Sequence, residues 1–278
     1  NLGGAMGDAS ILDYDPYSRN FITTCRPSRM CSPCLNPRNP MGPTNPGPRY
    51  PHDFAKQNRR RIFQAESPDM LHWSQPHLVL CPDDEEDNID DGFYTMVQCE
   101  YSGIYLGFLN VFHRTSNHMD VQLVVSRDRK NWQRTNKRQP WLTLGTPDKW
   151  DQGMVASSSA IIEVGDELFF YYGGCSCHHD YWIWGPREGL DHPEVTDPDL
   201  IRFGLGLARL RKDGFVSFDA GSVREGMLVT RPFSSEGESL TINAKCGGNG
   251  YIKIEVLDQY DEIIEGRSKE ACDVFTAD

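Results

Sequence analysis

Three short segments each bring an acid to the start of an extended apolar run: Gly7-Asp8-Ala9-Ser10, Asp90-Asp91-Gly92-Phe93-Tyr94 and Trp150-Asp151-Gln152-Gly153-Met154. A carboxyl group can protonate a leaving oxygen, attack as a nucleophile or activate water, and cleavage of a glycosidic bond needs two of them facing one another. An acid where a loop enters a strand is also a common turn-former, so each one alone is explained by local structure. Their recurrence in three comparable places makes Asp8, Asp91 and Asp151 the candidate catalytic residues.

Two long connections and one short one supply the candidate contacts to a ligand. The first connection, residues 25–58, is rich in Pro and Gly and carries Arg26, Arg29 and His52. The short one begins at His113. The third, residues 174–200, holds Cys175-Ser-Cys177-His178-His179-Asp180-Tyr181-Trp182-Ile-Trp184. Aromatic rings beside polar groups suit a sugar, whose apolar ring faces stack while its hydroxyls take hydrogen bonds. Arg26, Tyr94, His113, His178, His179 and Trp182 are accordingly the expected substrate-binding residues. Cys175, Cys177, His178, His179 and Asp180 could alternatively bind zinc, with Cys31 and Cys34, but the spacing matches no usual finger or protease pattern. A disulfide-stapled loop presenting a histidine is preferred, and neither metal nor cofactor is expected. The acidic run Asp83–Asp87 reads as a solvated loop, with a calcium site as the alternative.

The elements that would hold these residues are written as a repeat. Ser67-Pro-Asp69-Met-Leu-His-Trp73 and Ser126-Arg-Asp128-Arg-Lys-Asn-Trp132 both fit S-x-D-x-x-x-W and lie 59 positions apart. Each follows a β-prone run, Arg61–Ala65 in one case and Val121–Val125 in the other. Gly206–Phe215 keeps the run and the turn without the Ser and Trp. Upstream of each copy two apolar runs flank a polar turn: Ser10–Tyr14 with Asn20–Thr24, Phe93–Val97 with Ile104–Leu109, and Ala160–Val164 with Glu167–Tyr172. Four antiparallel strands per repeat describe a β-propeller blade. In that geometry the first strand lines a central channel, and its start shares one face with the connection between strands two and three. The S-x-D-x-x-x-W turns point to the opposite face, which makes Asp69 and Asp128 turn-formers and Trp73 and Trp132 packing residues.

The fold expected is therefore all-β: a five-bladed β-propeller with at least three recognisable blades over residues 1–221, the N-terminal blade or blades lying outside this chain. A β-sandwich-like segment follows over residues 222–278, where Met227–Thr230, Ser239–Ala244 and Tyr251–Leu257 alternate as one-face-buried strands do. The net charge of −12 argues against nucleic acid or an anionic membrane as partner, because both require clustered Lys and Arg. Carbohydrate is the expected partner and a monomer the expected state. Nine cysteines, with Cys31/Cys34, Cys175/Cys177 and Cys246/Cys272 as possible pairs, point to a secreted or extracellular setting, periplasmic in a bacterium.

Gly7-Asp-Ala-Ser-Ile-Leu-Asp-Tyr-Asp-Pro16, Ser126-Arg-Asp-Arg-Lys-Asn-Trp132, Asp151-Gln-Gly-Met-Val155, Phe170-Tyr-Tyr-Gly-Gly174 and Asp213-Gly-Phe-Val-Ser217 give the chain its family likeness. It resembles the five-bladed propeller glycosidases of the clan around glycoside hydrolase families 32, 43 and 68, and most of all uncharacterised bacterial members. The resemblance implies a glycoside hydrolase acting on a poly- or oligosaccharide, with one acid on the first strand of each of three consecutive blades. Asp8 stands where that clan has its transition-state-stabilising Asp, and Asp91 and Asp151 fall at the next two blade starts. The clan's general acid is usually Glu, which neither position supplies, and its nucleophile-bearing blade lies outside these residues. A non-catalytic glycan-binding propeller is the alternative.

Overall fold

A computed structural model describes residues 9–25, 60–83, 85–179, 197–234 and 239–276. The chain divides into two compact units, Asn1–Lys212 and Asp213–Asp278. In the first unit the described residues are almost wholly β, as the alternating sequence patterns require, with short 3-10 turns at Asn136–Arg138 and Pro198–Leu200. No helix among them is long and apolar enough to cross a membrane.

Strands β1 (Ile11–Asp15), β2 (Asn20–Cys25), β3 (Ile62–Ser67) and β4 (His77–Leu80) form a four-stranded antiparallel sheet in sequence order. Strands β5 (Asp91–Tyr101), β6 (Ile104–His113), β7 (His118–Ser126) and β8 (Trp132–Arg134) repeat that order. Strands β9 (Met154–Val164), β10 (Glu167–Cys175) and β11 (Phe203–Arg211) form a third antiparallel set, joined to the second where β7 and β9 run parallel at the single pair Met119↔Met154. No sheet closes on itself among the described residues; the first set is one sheet and the other two share a second.

Packing between the sets explains which residues are apolar. Ile62 and Leu80 of the first sheet bury against Phe93, Met96, Leu109, Val111 and Val124 of the second set, with Val79 and Trp132 at the margin. On its opposite face the second set offers Phe108, which meets Trp141 and Phe170 at ring-centroid distances of 5.0 and 5.7 Å. Buried polar side chains fix the sets relative to one another. The Thr24 hydroxyl donates to Met96 O at 2.6 Å, Gln98 Nε2 to Gln64 Oε1 at 3.1 Å, and Asn110 Nδ2 to Val155 O at 2.8 Å. A partner lost at such depth leaves a desolvated polar atom, so these bonds favour one register over its neighbours.

The two S-x-D-x-x-x-W segments fold alike, contact for contact. Ser67 Oγ donates to Asp69 Oδ1, which also accepts the N–H groups of Leu71 and His72 at 2.9 and 2.8 Å, while Trp73 Nε1 donates to Met70 O. Ser126 Oγ donates to Asp128 Oδ1, which accepts from Lys130 N and Asn131 N at 2.8 and 2.7 Å, while Trp132 Nε1 donates to Arg129 O. Met70 and Arg129 both take positive φ, 62° and 59°. The His72 ring at Asp69, and the Asn131 N–H at Asp128, lead the hydrogen bonds that hold both carboxyls well below the usual range. These acids build turns, as their position opposite the strand starts requires.

The acidic run is a loop with Glu85 and Glu86 exposed, as expected, but its last acid is not solvated. The Asp87 side chain is almost fully covered and pairs with Arg138 Nη1 at 2.9 Å and Arg134 Nη2 at 3.0 Å, and Arg138 also binds Asp83 and Glu86. Two guanidinium groups, one at the end of β8 and one shortly after it, pair with acids that precede β5, a pairing invisible in local sequence.

In the second unit the described residues carry isolated bridges, Ile252↔Phe275 and Leu257↔Ile263, in place of the strands that alternation suggested. Alternation yields a ladder only where a partner covers the apolar face, and here Met227, Val229 and Leu240 are exposed. Cys246 and Cys272 are not bonded to each other; their thiols donate to Phe275 O and Asp273 O.

Candidate functional site

One end of the first unit gathers the start of β5, the end of β6, the start of β7, the start of β9 and the residues just after β10. At its centre is His113, the last residue of β6. Register places it opposite both Asp91 on β5 and His118 on β7. Its Nδ1 lies 2.7 Å from Asp91 Oδ1 and its Nε2 lies 2.9 Å from Asp120 Oδ2. Both acids are buried, at 3% and 6% exposure. Burial alone would push the imidazole down. The hydrogen bonds and charges of Asp120 and Asp91 outweigh it, and the His113 pKa is pushed up to about 10. An imidazolium with both N–H groups donated is a fixed positive charge between two negative ones; it has no lone pair with which to act as a base.

Asp91 is equally committed. Its Oδ2 accepts from the main-chain N and the Nδ2 of Asn88 at 3.1 and 3.3 Å. Neighbouring Asp90 accepts from Thr115 N at 2.9 Å, tying the β6–β7 connection to the start of β5. Asp120 was not legible as a site residue, because mid-strand acids carry no turn signal. The one clue was its place seven residues after a histidine, which puts it within reach across a two-strand turn.

Beside this network is an aromatic group. The β5–β6 register shifts between Phe93 and Thr95, so Tyr94 is the extra residue of a bulge, a device that re-aims one side chain out of the strand alternation. The Tyr94 ring meets His179 at 4.9 Å and Phe112 at 6.3 Å, and His179 packs on Phe112 at 4.5 Å. The Arg60 guanidinium lies over Tyr94 and Phe112, 4.7 and 5.1 Å from their centroids. His118 and His178 stack 4.9 Å apart and nearly parallel, at 16°. The His179 main-chain N–H donates to Asn117 O at 2.9 Å. Arg60, Asn117 and His118 join the expected residues here; the sequence offered no signal for them beyond their nearness to loop ends.

Asp151 stands at the start of β9 with a different set of partners. Its Oδ2 accepts the Tyr172 hydroxyl at 2.9 Å. Trp150 and Tyr172 lie nearly parallel at 5.6 Å, and the Trp150 indole rests on Gly174 and Gly204, where a Cβ would come within 2.6 and 2.5 Å of the ring. Tyr94, His113, His178 and His179 are thus brought together with Asp91, while Asp151 is held by Tyr172. Asp8, Arg26 and Trp182 lie outside the described residues, as do Cys31, Cys34 and Asp180. Among the described residues no three His, Cys, Asp or Glu side chains are arranged to hold a metal ion.

No family model matches the chain, and no curated protein matches it. Solved structures do. An N-acetylgalactosamine deacetylase from F. plautii in complex with blood group B trisaccharide aligns at 12% identity and TM-score 0.46, covering 73% of this chain and 50% of that one. A family 117 glycoside hydrolase produced by the marine bacterium Zobellia galactanivorans aligns at 13% identity and TM-score 0.47, covering 80% and 58%. An endo-arabinase from Bacteroides thetaiotaomicron aligns at 14% identity and TM-score 0.42, covering 74% and 51%. The chain spans between half and three fifths of the length of these structures. The superpositions are partial, and the chain's own residues define its site.

Proposed function

We propose that the first unit is part of a five-bladed propeller glycoside hydrolase of the family 32/43/68 kind, binding a poly- or oligosaccharide at the end where β5 and β9 begin. The observation that carries the reading is convergence: Tyr94, His113, His178 and His179, drawn from three separate stretches of chain, meet Asp91 at that end. A bulged tyrosine beside imidazoles and an arginine offers a ring face and hydrogen-bonding groups together, which suits a sugar. Asp8 and Asp151 are the carboxyls assigned to bond cleavage. Asp91, with both oxygens engaged, takes the role of holding His113 rather than touching substrate. Tyr172 orients the Oδ2 of Asp151, whose Oδ1 lies against Gly145.

The engagement of Asp91 and the Tyr172 hydrogen bond on Asp151 favour a second reading, in which the same face binds glycan without cleaving it. One experiment separates the two. The full-length protein is assayed on a panel of aryl glycosides and, in parallel, for retention on immobilised oligosaccharides. Hydrolysis lost by about 100-fold or more in Asp151→Asn, with retention kept, supports the hydrolase. Retention without turnover in the unaltered protein, weakened about tenfold by His179→Ala, supports the binding module. Neither retention nor turnover overturns both. Secretion and a monomeric state belong to the same proposal.

A further inference from the structure

The segment Cys175-Ser176-Cys177 closes β10 immediately before the two histidines of the site. The two sulfurs are in thiol–thiol contact at 2.8 Å, and both residues are buried, at 3% and 2% exposure. What holds them together is the residue between. Ser176 donates its N–H to Arg202 O and its hydroxyl to Leu200 O, both at 2.9 Å, while its Oγ accepts from Arg202 N at 2.9 Å. Its carbonyl accepts from Gln152 Nε2 at 3.1 Å. All of its polar atoms are thus tied, N and Oγ to the 200–202 segment that leads from the 3-10 turn into β11, and O to Gln152 just before β9. The flanking residues are held as well: Gly153 N donates to Cys175 O at 2.9 Å, and a Cβ at Gly153 would fall 2.1 Å from the Cys177 carbonyl oxygen. The main chain of Cys177 therefore lies directly on that of Gly153.

We propose that Cys175 and Cys177 form a two-electron redox pair whose closure sets the position of His178 and His179. A disulfide needs the sulfurs to close by a further ~0.8 Å. The clamp on Ser176 already supplies the loop-closure entropy that two thiols on a flexible chain would lose. Burial selects a small oxidant, and hydrogen peroxide fits. One sulfur, as thiolate, attacks a peroxide oxygen; the O–O bond breaks, leaving a sulfenic acid and, after protonation, water. The second sulfur then displaces the sulfenic hydroxyl, which takes up the second thiol's proton and leaves as a second water. The net change is dithiol plus peroxide to disulfide plus two waters. Reduction by an external dithiol reverses it. The histidines report the change because they follow the ring without a spacer. His178 is stacked on His118, and His179 is seated on Tyr94 and Phe112. The pair is independent of whether a glycan binds at this end.

The test uses the full chain, prepared under dithiothreitol and then exposed to stoichiometric hydrogen peroxide. Remaining thiols are alkylated before digestion and peptide mass mapping. The expected product is a 175–177 peptide lighter by two hydrogens and unalkylated, restored by dithiothreitol. The histidine ring resonances, assigned with His178→Gln and His179→Gln, should shift together on oxidation and return on reduction. Cys177→Ser should abolish both changes; if that variant does not fold, the unaltered protein's mass map and spectra still decide. Both cysteines alkylated after peroxide, either one bonded to a different cysteine, or a 175–177 bond with unmoved histidine resonances would each overturn the proposal. Glycan retention, measured separately on the reduced protein, reports on the glycosidase reading alone.

Discussion

Replacing His113 with Gln removes the imidazolium held between two buried carboxylates, and the structure sets both the size and the pH dependence of the loss. In the folded protein the imidazole pKa is pushed up from 6.5 to about 10 by Asp120 and Asp91, against the opposing effect of burial. A raised folded pKa stabilises the protein fully below the unfolded value, and that contribution is lost as pH rises from 6.5 through about 10. A shift of that size corresponds to on the order of 5 kcal/mol at most. The side chain is 24% exposed, so water screens part of it and the expected loss for His113→Gln near neutrality is about 2–4 kcal/mol. Urea unfolding of both proteins from about pH 6 to about pH 11 isolates this contribution, because other groups that titrate there cancel in the difference. The difference should be largest at the neutral end and shrink as the wild-type imidazolium deprotonates. A difference that stays constant with pH, or a variant as stable as the wild type at neutrality, would refute the argument that the carboxylates hold His113 charged.

Two further substitutions probe the frame that carries the site. In Gly107→Ala the new methyl would stand 2.6 Å from Val124 Cγ2 and 2.9 Å from the Trp132 ring; thermal and urea unfolding should show a loss of about 1–3 kcal/mol from overpacking. Arg138→Gln leaves Asp87, whose side chain is 1% exposed, with Arg134 as its remaining cation. It should lower stability by about 2–4 kcal/mol, and Arg138→Lys should recover only part of that because the ammonium cannot reach three carboxylates at once; an unchanged urea midpoint for Arg138→Gln would show the acidic loop to be held otherwise.

The all-β character, the strand pairs and the fate of the S-x-D-x-x-x-W acids were legible in the sequence because their causes are local. Alternation over five to eleven residues and the closed hydrogen-bond set of Asp69 or Asp128 are complete within a few positions of the chain. The end of the strands at which Tyr94, His113, His178 and His179 gather was also readable, since a strand's start and the connection two strands later must share an edge. Pairings across distance were not. Asp91 meets His113 because β5 and β6 pair in one register, Asp120 joins them because β7 continues it, and a bulge no sequence pattern announces turns Tyr94 toward His179. Arg134 and Arg138 reach back some fifty residues to Asp87, pairing part of a run of like charges. The second unit shows the converse: its alternation was plain, yet its described residues hold only isolated bridges, since an apolar face becomes a strand face when something covers it. The acids at the starts of β5 and β9 were thus set by sequence. What each one binds, His113 for Asp91 and Tyr172 for Asp151, was decided by the tertiary fold, because a carboxylate's role depends on which donors the register delivers to it.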